Sequence, residues 1–519
     1  MTTTILPALK IVLPRWEGLD LIYANNALIT STAGSCIADD KRASQYTNPN
    51  LWYLTSATNL LQYNTINNEW LQLASPALTP ALVAGGGMVF APSHGPRGTL
   101  ATGATSSKIT LTTALPATVS ANQLTGQRIR IIGKAAGSSG KTEERTIVGN
   151  TAGTTPIIDL DTPLTFAPLL TDGYEFLTGR LYMLSGGLLA AGSFRYYDLC
   201  TSSFATVAQA NLPATVSTDA SFVALDELYT PLVGAGGVAV NGEVGGFFGT
   251  LTATASAGTT LTGQAVGLDA EVLANEYRNF QVRIVEDTAA PTAVGQRRRI
   301  TSHTAGASPV YTVPTWTVTP SATAKYVIEN NNDIILRSTA VTTIYRYEWV
   351  GNAWDTTTYA VSPAVEALGC MSFQAFSGVQ DPNKNFRYSF IYSFRGGAVN
   401  TLDILDIAGA TTGAWTTAAV YDNQGLTTFG SSAGCTYDPV SNLAVINGTQ
   451  LLNIQCPMFL FDVAKMSLRP YKRIPQIAST IMTGSRTGID VYVDGNTKKS
   501  IIYHIPSTQN YMLRSLLFV

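Results

Sequence analysis

Tyr347-Glu348-Trp349-Val350-Gly351-Asn352-Ala353-Trp354 decides the reading of this chain. Apolar and aromatic residues lead into Tyr347. A polar turn containing Gly351-Asn352 follows, and Trp354 stands seven positions after Tyr347. Gly and Asn tolerate the positive φ of a tight hairpin, so the stretch predicts two antiparallel strands with Tyr347 and Trp354 flanking the turn. The same spacing recurs as Tyr63-Asn64 with Trp70, Tyr197-Asp198 with Phe204, and Phe461-Asp462 with Leu468. A stretched version runs from Leu405-Asp406 to Trp415. Further apolar strands lie upstream or nearby, as in Leu51–Leu54, Leu181–Leu184 and Tyr388–Tyr392.

Strands grouped this way, recurring every few tens of residues once longer insertions are removed, are the sequence mark of a ring of β-sheet blades. The hairpin resembles the Kelch motif, with Gly-rich stretches at Gly85-Gly86-Gly87, Gly186-Gly187 and Gly396-Gly397. That resemblance implies a β-propeller, expected here to have five to seven blades. The strand at Tyr511–Val519 is expected to close the ring against an N-terminal strand around Leu19–Tyr23, because open first and last blades would leave bare sheet edges.

A second repeat is longer. Arg128-Ile129-Arg130-Ile131-Ile132 aligns with Gln281-Val282-Arg283-Ile284-Val285. Without a gap, Arg145-Thr146-Ile147 then meets Arg298-Arg299-Ile300, Thr151-Ala152-Gly153 meets Thr304-Ala305-Gly306, and Pro156 meets Pro309. After a one-residue slip, Pro168 meets Pro320 and Tyr174 meets Tyr326. Alternation of Ile129 and Ile131 around Arg130, and of Val282 and Ile284 around Arg283, is that of half-buried strands. The expected organisation is ring 1–97, first module 98–178, ring 179–248, second module 249–330 and ring 331–519, the last part carrying the closing strand. The fold class is all-β, each module being a small β-barrel or sandwich that stands off the ring as a removable insertion.

Composition agrees. Only 13% of the 519 residues are charged, about half the usual share. Such a surface is expected to be covered in part by neighbouring subunits. A net charge of −2 gives no bulk attraction to nucleic acid or acidic membranes. Cys36, Cys200, Cys370, Cys435 and Cys456 are odd in number, without a CxxC pair, and read as thiols of a chain made in the cytosol. No signal sequence and no apolar run of membrane-spanning length are visible.

Motifs for chemistry are few. Ala135-Ala136-Gly137-Ser138-Ser139-Gly140-Lys141-Thr142 satisfies a relaxed phosphate-loop pattern. A working loop needs a helix after it, whereas Glu143–Val148 reads as a strand, so a hairpin turn is expected. His94, His303 and His504 are not at metal-ligand spacing, and His303 aligns with Asn150. Gly484–Gly488 has the wrong spacing for a nucleophile elbow. The carboxylates Asp159 with Asp161 and Glu143 with Glu144 sit beside turns. Asp198, Glu348, Asp406 and Asp462 recur where a residue would cap a hairpin turn. No cofactor, metal or catalytic residue is expected, and the chain is read as not an enzyme.

Basic residues cluster at Arg128, Arg130, Lys134 and Lys141, and at Arg297-Arg298-Arg299. Arg128, Arg130, Arg297, Arg298 and Arg299 are candidates for contact with DNA or another acidic partner. Aromatics do not interleave them, which argues against base stacking.

The module pattern, with Gly295–Ile300, Ser302–Gly306 and Val313–Pro320, resembles modules of tailed-bacteriophage structural proteins. A propeller with added β-domains is similar to the tail nozzle, or tail tube, proteins of short-tailed phages. That resemblance implies a homo-oligomeric ring in the tail or neck of a virion, below the portal and adaptor, with fibres or spikes outside and DNA passing during ejection. A capsid decoration or head-fibre protein, and a propeller that binds or hydrolyses host-surface carbohydrate, are the other readings.

Overall fold

The computed structural model describes residues 17–21, 23–24, 27–28, 35–40, 50–55, 59–65, 67–74, 83, 86–216, 221–225, 250–263, 274–275, 277–329, 333–338, 341–365, 371–376, 389–396, 401–407, 415–422, 434–438, 441–447, 457–473, 486–494, 497–505 and 511–517. Cys370, Cys456, Gly85 and Gly397 lie outside the described residues.

Hairpin turns set the repeat. Tyr63 is the cross-strand partner of Trp70, Tyr197 of Phe204, Tyr347 of Trp354, Phe461 of Leu468 and Leu405 of Trp415. In the four evenly spaced hairpins the residue two before the second member has positive φ: Asn68 at 57°, Ser202 at 52°, Asn352 at 51° and Met466 at 50°. Asn suits that position because its short side chain tolerates the left-handed region and can bond locally. The Tyr63 and Tyr347 hydroxyls each donate to Oδ1 of the asparagine five residues on, both at 3.0 Å. At the other side of the turn, Asp198 Oδ1 accepts the N–H groups of Cys200 and Thr201 at 3.0 and 3.2 Å, and Asp462 Oδ1 accepts that of Lys465 at 3.0 Å. Asp198 and Asp462 are thus turn caps.

These hairpins build six antiparallel sheets. Sheet I contains Cys36–Asp39, Asn50–Leu54, Leu60–Asn64 and Glu69–Ala74. Sheet II contains Gly87–Ala91, Arg180–Leu184, Phe194–Asp198 and Ser203–Thr206, and sheet III contains Ser221–Ala224, Ile334–Arg337, Ile344–Glu348 and Ala353–Asp355. Sheet IV runs from Met371–Phe376 to Trp415–Ala419, and sheet V from Gly434–Asp438 to Ser467–Arg473 with the short strand Tyr421–Asp422 added in parallel. Sheet VI contains Arg486–Asp494, Thr497–Ile505 and Tyr511–Leu516, and its fourth strand is Glu17–Leu21. Glu17 pairs with Arg514, Gly18 with Leu513 and Leu21 with Tyr511.

The sheets meet in cyclic order. The first strand of each of sheets I to V touches the first strand of the next, and Arg486–Asp494 touches both Gly434–Asp438 and Cys36–Asp39. Apolar cores lie between consecutive sheets: Trp52 and Leu54 against Phe90 and Met183, Tyr182 and Phe194 against Tyr347 and Trp354, Ile335 against Leu405, Phe373 and Phe394 against Phe461. Val445 and Leu460 pack on Ile502, and Tyr503 and Met512 return to Tyr53 and Tyr63 of sheet I. Burial of apolar faces, aromatic in most junctions and aliphatic between sheets V and VI, supplies the main drive for holding neighbouring sheets together.

Both modules enter between the first and second strands of a sheet. The strands of the first run from Arg97 to Phe176, between Gly87–Ala91 and Arg180–Leu184. Those of the second run from Leu251 to Glu329, between Ser221–Ala224 and Ile334–Arg337. The first is a six-stranded sheet whose edge strands are joined by a Leu100–Leu111 bridge. The second holds two four-stranded sheets, and Arg297–Arg299 of one runs on through Ile300 into Ser302–His303 of the other.

The gapless register of the two modules extends to their hydrogen bonds. Asn150 Oδ1 accepts the Leu124 N–H at 2.8 Å, and His303 Nε2 accepts that of Tyr277 at 2.8 Å. Thr151 Oγ1 accepts the Ile157 N–H at 2.9 Å, as Thr304 Oγ1 accepts that of Val310 at 2.9 Å. Arg145 Nε donates to the Thr162 carbonyl and Arg298 Nε to that of Thr315. Asn122 and Asn275 share a positive φ, 61° and 63°.

Candidate functional site

Packing brings the basic clusters of the two modules to one place. Arg130 stands opposite both Glu144 and Glu175 in its own sheet, and Arg283 stands opposite Arg297. Glu144 and Arg297 occupy the same position of the repeat with opposite charge. A continuous chain of ion pairs results. Arg128 and Arg130 hold Glu144, and Arg130 Nη1 reaches Glu175 Oε2 at 3.0 Å. Arg297 of the second module clasps that same carboxylate with Nη1 at 2.5 Å and Nη2 at 2.7 Å. Arg297 Nε and Arg283 Nε then share Glu329 Oε1 at 3.3 and 3.1 Å.

Burial would by itself raise the pKa of Glu175. Arg297, then Arg130 and Arg283, outweigh it and hold the carboxyl well below its ordinary value. Glu329 is lowered too, where Arg283 and Arg297 overcome the same burial. Bidentate guanidinium–carboxylate pairs of this kind are strong and geometrically specific.

The remaining contacts tighten the join. Asp287 N–H donates to the Gly140 carbonyl at 2.6 Å, and Lys141 bridges Glu286 as antiparallel strand residues. Ile132 of the first module belongs to the apolar core of the second, alongside Val294 and Ile284. A Cβ on Gly295 would stand 2.8 Å from Ile132 Cγ2, and its φ of +83° is one that L side chains rarely adopt. The modules are therefore locked to each other. Removing the first would strip the second of Glu175 and Ile132.

The five arginines read from sequence as partner contacts have internal roles. Arg128, Arg130 and Arg297 neutralise the buried glutamates. Arg298 donates to the carbonyls of Thr315 and Arg297 and to Thr317 Oγ1, its guanidinium 5.5 Å from the Trp316 ring centre. Arg299 Nη1 donates to Thr358 Oγ1 at 2.6 Å, tying the second module to sheet III. Arg128, Arg130 and Arg297 are thus committed to carboxylates, whereas Arg298 and Arg299 bind carbonyl and hydroxyl oxygens. Sequence reasoning missed Glu175 and Glu329, which complete the chain. The signal available was the charge reversal between the aligned Glu144 and Arg297.

The stretch resembling a phosphate loop is a hairpin turn leading into the strand Thr142–Asn150. Its Ala135 N–H and Ser138 hydroxyl donate to the Asp172 carboxylate at 2.6 and 2.8 Å, so an internal acid takes the donors an anion would need. His94 is buried, stacked on Trp349 with ring centres 4.3 Å apart, and its Nδ1 lies 3.0 Å from the Tyr182 hydroxyl. Arg97 donates to the Val350 carbonyl at 2.5 Å and lies over the same Trp349, so the first module is also anchored on sheet III.

A cavity of about 80 Å³ is lined by residues of the first strands of sheets I to V, among them Asp39, Met88, Phe222, Phe373 and Thr436. Thr436 Oγ1 donates to Asp39 Oδ2 at 2.9 Å. The volume suits a few waters and falls short of the roughly 300–1,000 Å³ of ordinary small-molecule sites. Among the described residues, no three His, Cys, Asp or Glu side chains are placed to hold a metal ion.

The sequence matches no protein-family model and no curated protein. In structure the chain is similar to Sqt1 of Saccharomyces cerevisiae, at TM-score 0.32 and 8% identity over 97% of this chain and 100% of that one. It is also similar to the endosialidase of phage phi92, at TM-score 0.26 and 8% identity over 98% of this chain and 69% of the other. A third likeness is to the dihydro-heme d1 dehydrogenase NirN, at TM-score 0.21 and 10% identity over 80% and 78%. Likenesses this weak carry no argument about activity or partners. The chain is an almost wholly β protein of antiparallel sheets.

Proposed function

We propose that the cyclic set of sheets is a six-bladed β-propeller, and that the two modules are small β-barrels carried as one rigid pair on its second and third blades. The reading of function that goes with this is a non-enzymatic structural component of a tailed-bacteriophage virion. It would be a tail or neck ring protein of the nozzle or tail-tube kind, assembled as a homo-oligomer between the portal and adaptor and the fibres or spikes. The observation that carries it is the inter-module charge chain. Buried ion pairs committed to one another make a stiff scaffold. Low surface charge, 13% of residues, and the resemblance of the modules to phage structural modules supply the rest.

Copy number per virion tests the reading. Quantitative mass spectrometry or a cryo-EM map should give six or twelve copies at the tail or neck. Hundreds of copies that purify with tailless capsids would make it a decoration or head-fibre protein instead. Specific binding on a glycan array, or release of reducing sugar, would move it to host-surface carbohydrate recognition.

A further inference from the structure

The two modules share the hydrogen bonds of this register, but one bonding position holds different side chains in the two. Asn150 and His303 hold equivalent positions; the imidazole makes two bonds and the asparagine side chain three, one of them from Nδ2 to the Ser120 carbonyl at 2.9 Å. Asn150 Oδ1 accepts the Leu124 N–H and its Nδ2 donates to the Thr151 carbonyl at 2.7 Å. His303 Nε2 accepts the Tyr277 N–H at 2.8 Å, and Nδ1 lies 2.9 Å from the Thr304 carbonyl. A carbonyl oxygen can only accept from Nδ1, so Nδ1 carries the proton and Nε2 is bare. The ring is 4% exposed, stacked on Tyr277 with centres 5.3 Å apart and 5.4 Å from that of Tyr311. The charge acting on it comes from Arg278, a like charge for an imidazolium.

We propose that His303 makes the attachment of the second module acid-releasable, while Asn150 keeps the first module indifferent to the same change. A proton added at Nε2 turns the acceptor into a donor facing the Tyr277 N–H, so the bond is lost and two donors are opposed. Burial and Arg278 both resist that proton, and the imidazole titrates below its usual value despite the Thr304 carbonyl. The segment that His303 holds also ties the module to the ring. Asn279 Nδ2 donates to the Ile407 carbonyl, next to sheet IV, at 2.7 Å. Only Arg278 separates Tyr277 from Asn279, so releasing Tyr277 loosens that anchor. The aligned residue in the first module is Gly126, which has no side chain to make such a tie.

The sign follows from linkage. An imidazole kept neutral by the fold contributes fully above the unfolded value near 6.5 and loses its contribution as pH falls from there toward the lowered folded value. One proton taken up on opening gives up to about a tenfold fall in protection per pH unit.

Hydrogen–deuterium exchange on the full chain, corrected for intrinsic rates, tests this between pH 7.5 and 5. Peptides covering 277–282 should lose protection by up to about tenfold per unit below pH 6.5. Peptides covering 124–129, the aligned segment, should hold theirs. His303→Asn should level the two segments, and Asn150→His should transfer the acid response to 124–129. Parallel loss in both segments of the native chain overturns the proposal. So does an unchanged response in H303N, or, should that variant not fold, the absence of transfer in N150H.

Discussion

Arg297 of the second module reaches Glu175 of the first through both Nη atoms, at 2.5 and 2.7 Å, across 122 residues of sequence. It is the inter-module link of a seven-residue chain of alternating charge, from Arg128 through Glu144, Arg130, Glu175, Arg297 and Glu329 to Arg283. Glu175→Gln should destabilise the protein by about 2–4 kcal/mol, because two buried guanidinium groups each lose one of two carboxylate partners, Arg130 keeping Glu144 and Arg297 keeping Glu329. Urea unfolding monitored by tryptophan fluorescence measures it. A loss below about 1 kcal/mol, the worth of an exposed pair, would mean the chain is solvated.

Gly295→Ala places a methyl group against Ile132 at a positive φ. Both effects act on the module join, so the variant should lower the melting temperature. Combining it with Ile132→Ala should relieve the steric part and leave the backbone part. Equal melting temperatures for the single and double variants would show that the clash is not felt.

The turn asparagines make a graded test. Asn352→Ala removes the acceptor of the Tyr347 hydroxyl and puts an alanine in the left-handed region, which costs about 1–2 kcal/mol. Asn352→Gly keeps the backbone relaxed and should lose less. Thermal denaturation of the two variants should rank them in that order. Met466, at the equivalent place with φ 50°, is the converse case: Met466→Gly should stabilise.

His504 is fully buried, and burial pushes its pKa down to about 3. The fold keeps it neutral, whereas the unfolded chain takes up a proton near 6.5. Its share of stability is complete above pH 6.5 and drains as pH falls from 6.5 toward 3. Unfolding free energy measured from pH 7 to 4 should fall less steeply in His504→Gln than in the native chain. An unchanged slope would contradict a neutral imidazole there.

Much of this architecture could be read from residues. The aromatic pairs flanking each turn were legible because seven-residue spacing fixes both a four-residue loop and the cross-strand partner. One hairpin of the same design escaped notice. Tyr437 donates to Asn442 Oδ1 at 2.7 Å and Asn442 has φ 56°, but the partner of Tyr437 is Ala444, which carries no aromatic signal. The module register was legible because hydrogen-bonding side chains such as Thr151 and Thr304 repeat without a gap. The contact between modules was not. Alternating Ile and Arg along Arg128–Ile132 looks like a strand with one wet face, and nothing local says that a second copy covers it. Arg130 is 7% exposed because of that cover, so its charge pointed outward in the sequence and inward in the fold.

The pairing of Glu17–Leu21 with Tyr511–Leu516 has a consequence for synthesis. The strand that leaves the ribosome early completes a sheet whose other members are made late. At about 5–20 residues per second, Glu17–Leu21 waits on the order of 25 to 100 s for its partner. Sheets I to V can pair within themselves during that time. The cyclic closure cannot, and the junction of Tyr53 and Tyr63 with Tyr503 and Met512 stays open until elongation has passed residue 516. The growing chain is thus a string of finished hairpins with two unmatched apolar faces, and the last step of its folding is one of the longest-range contacts it can make.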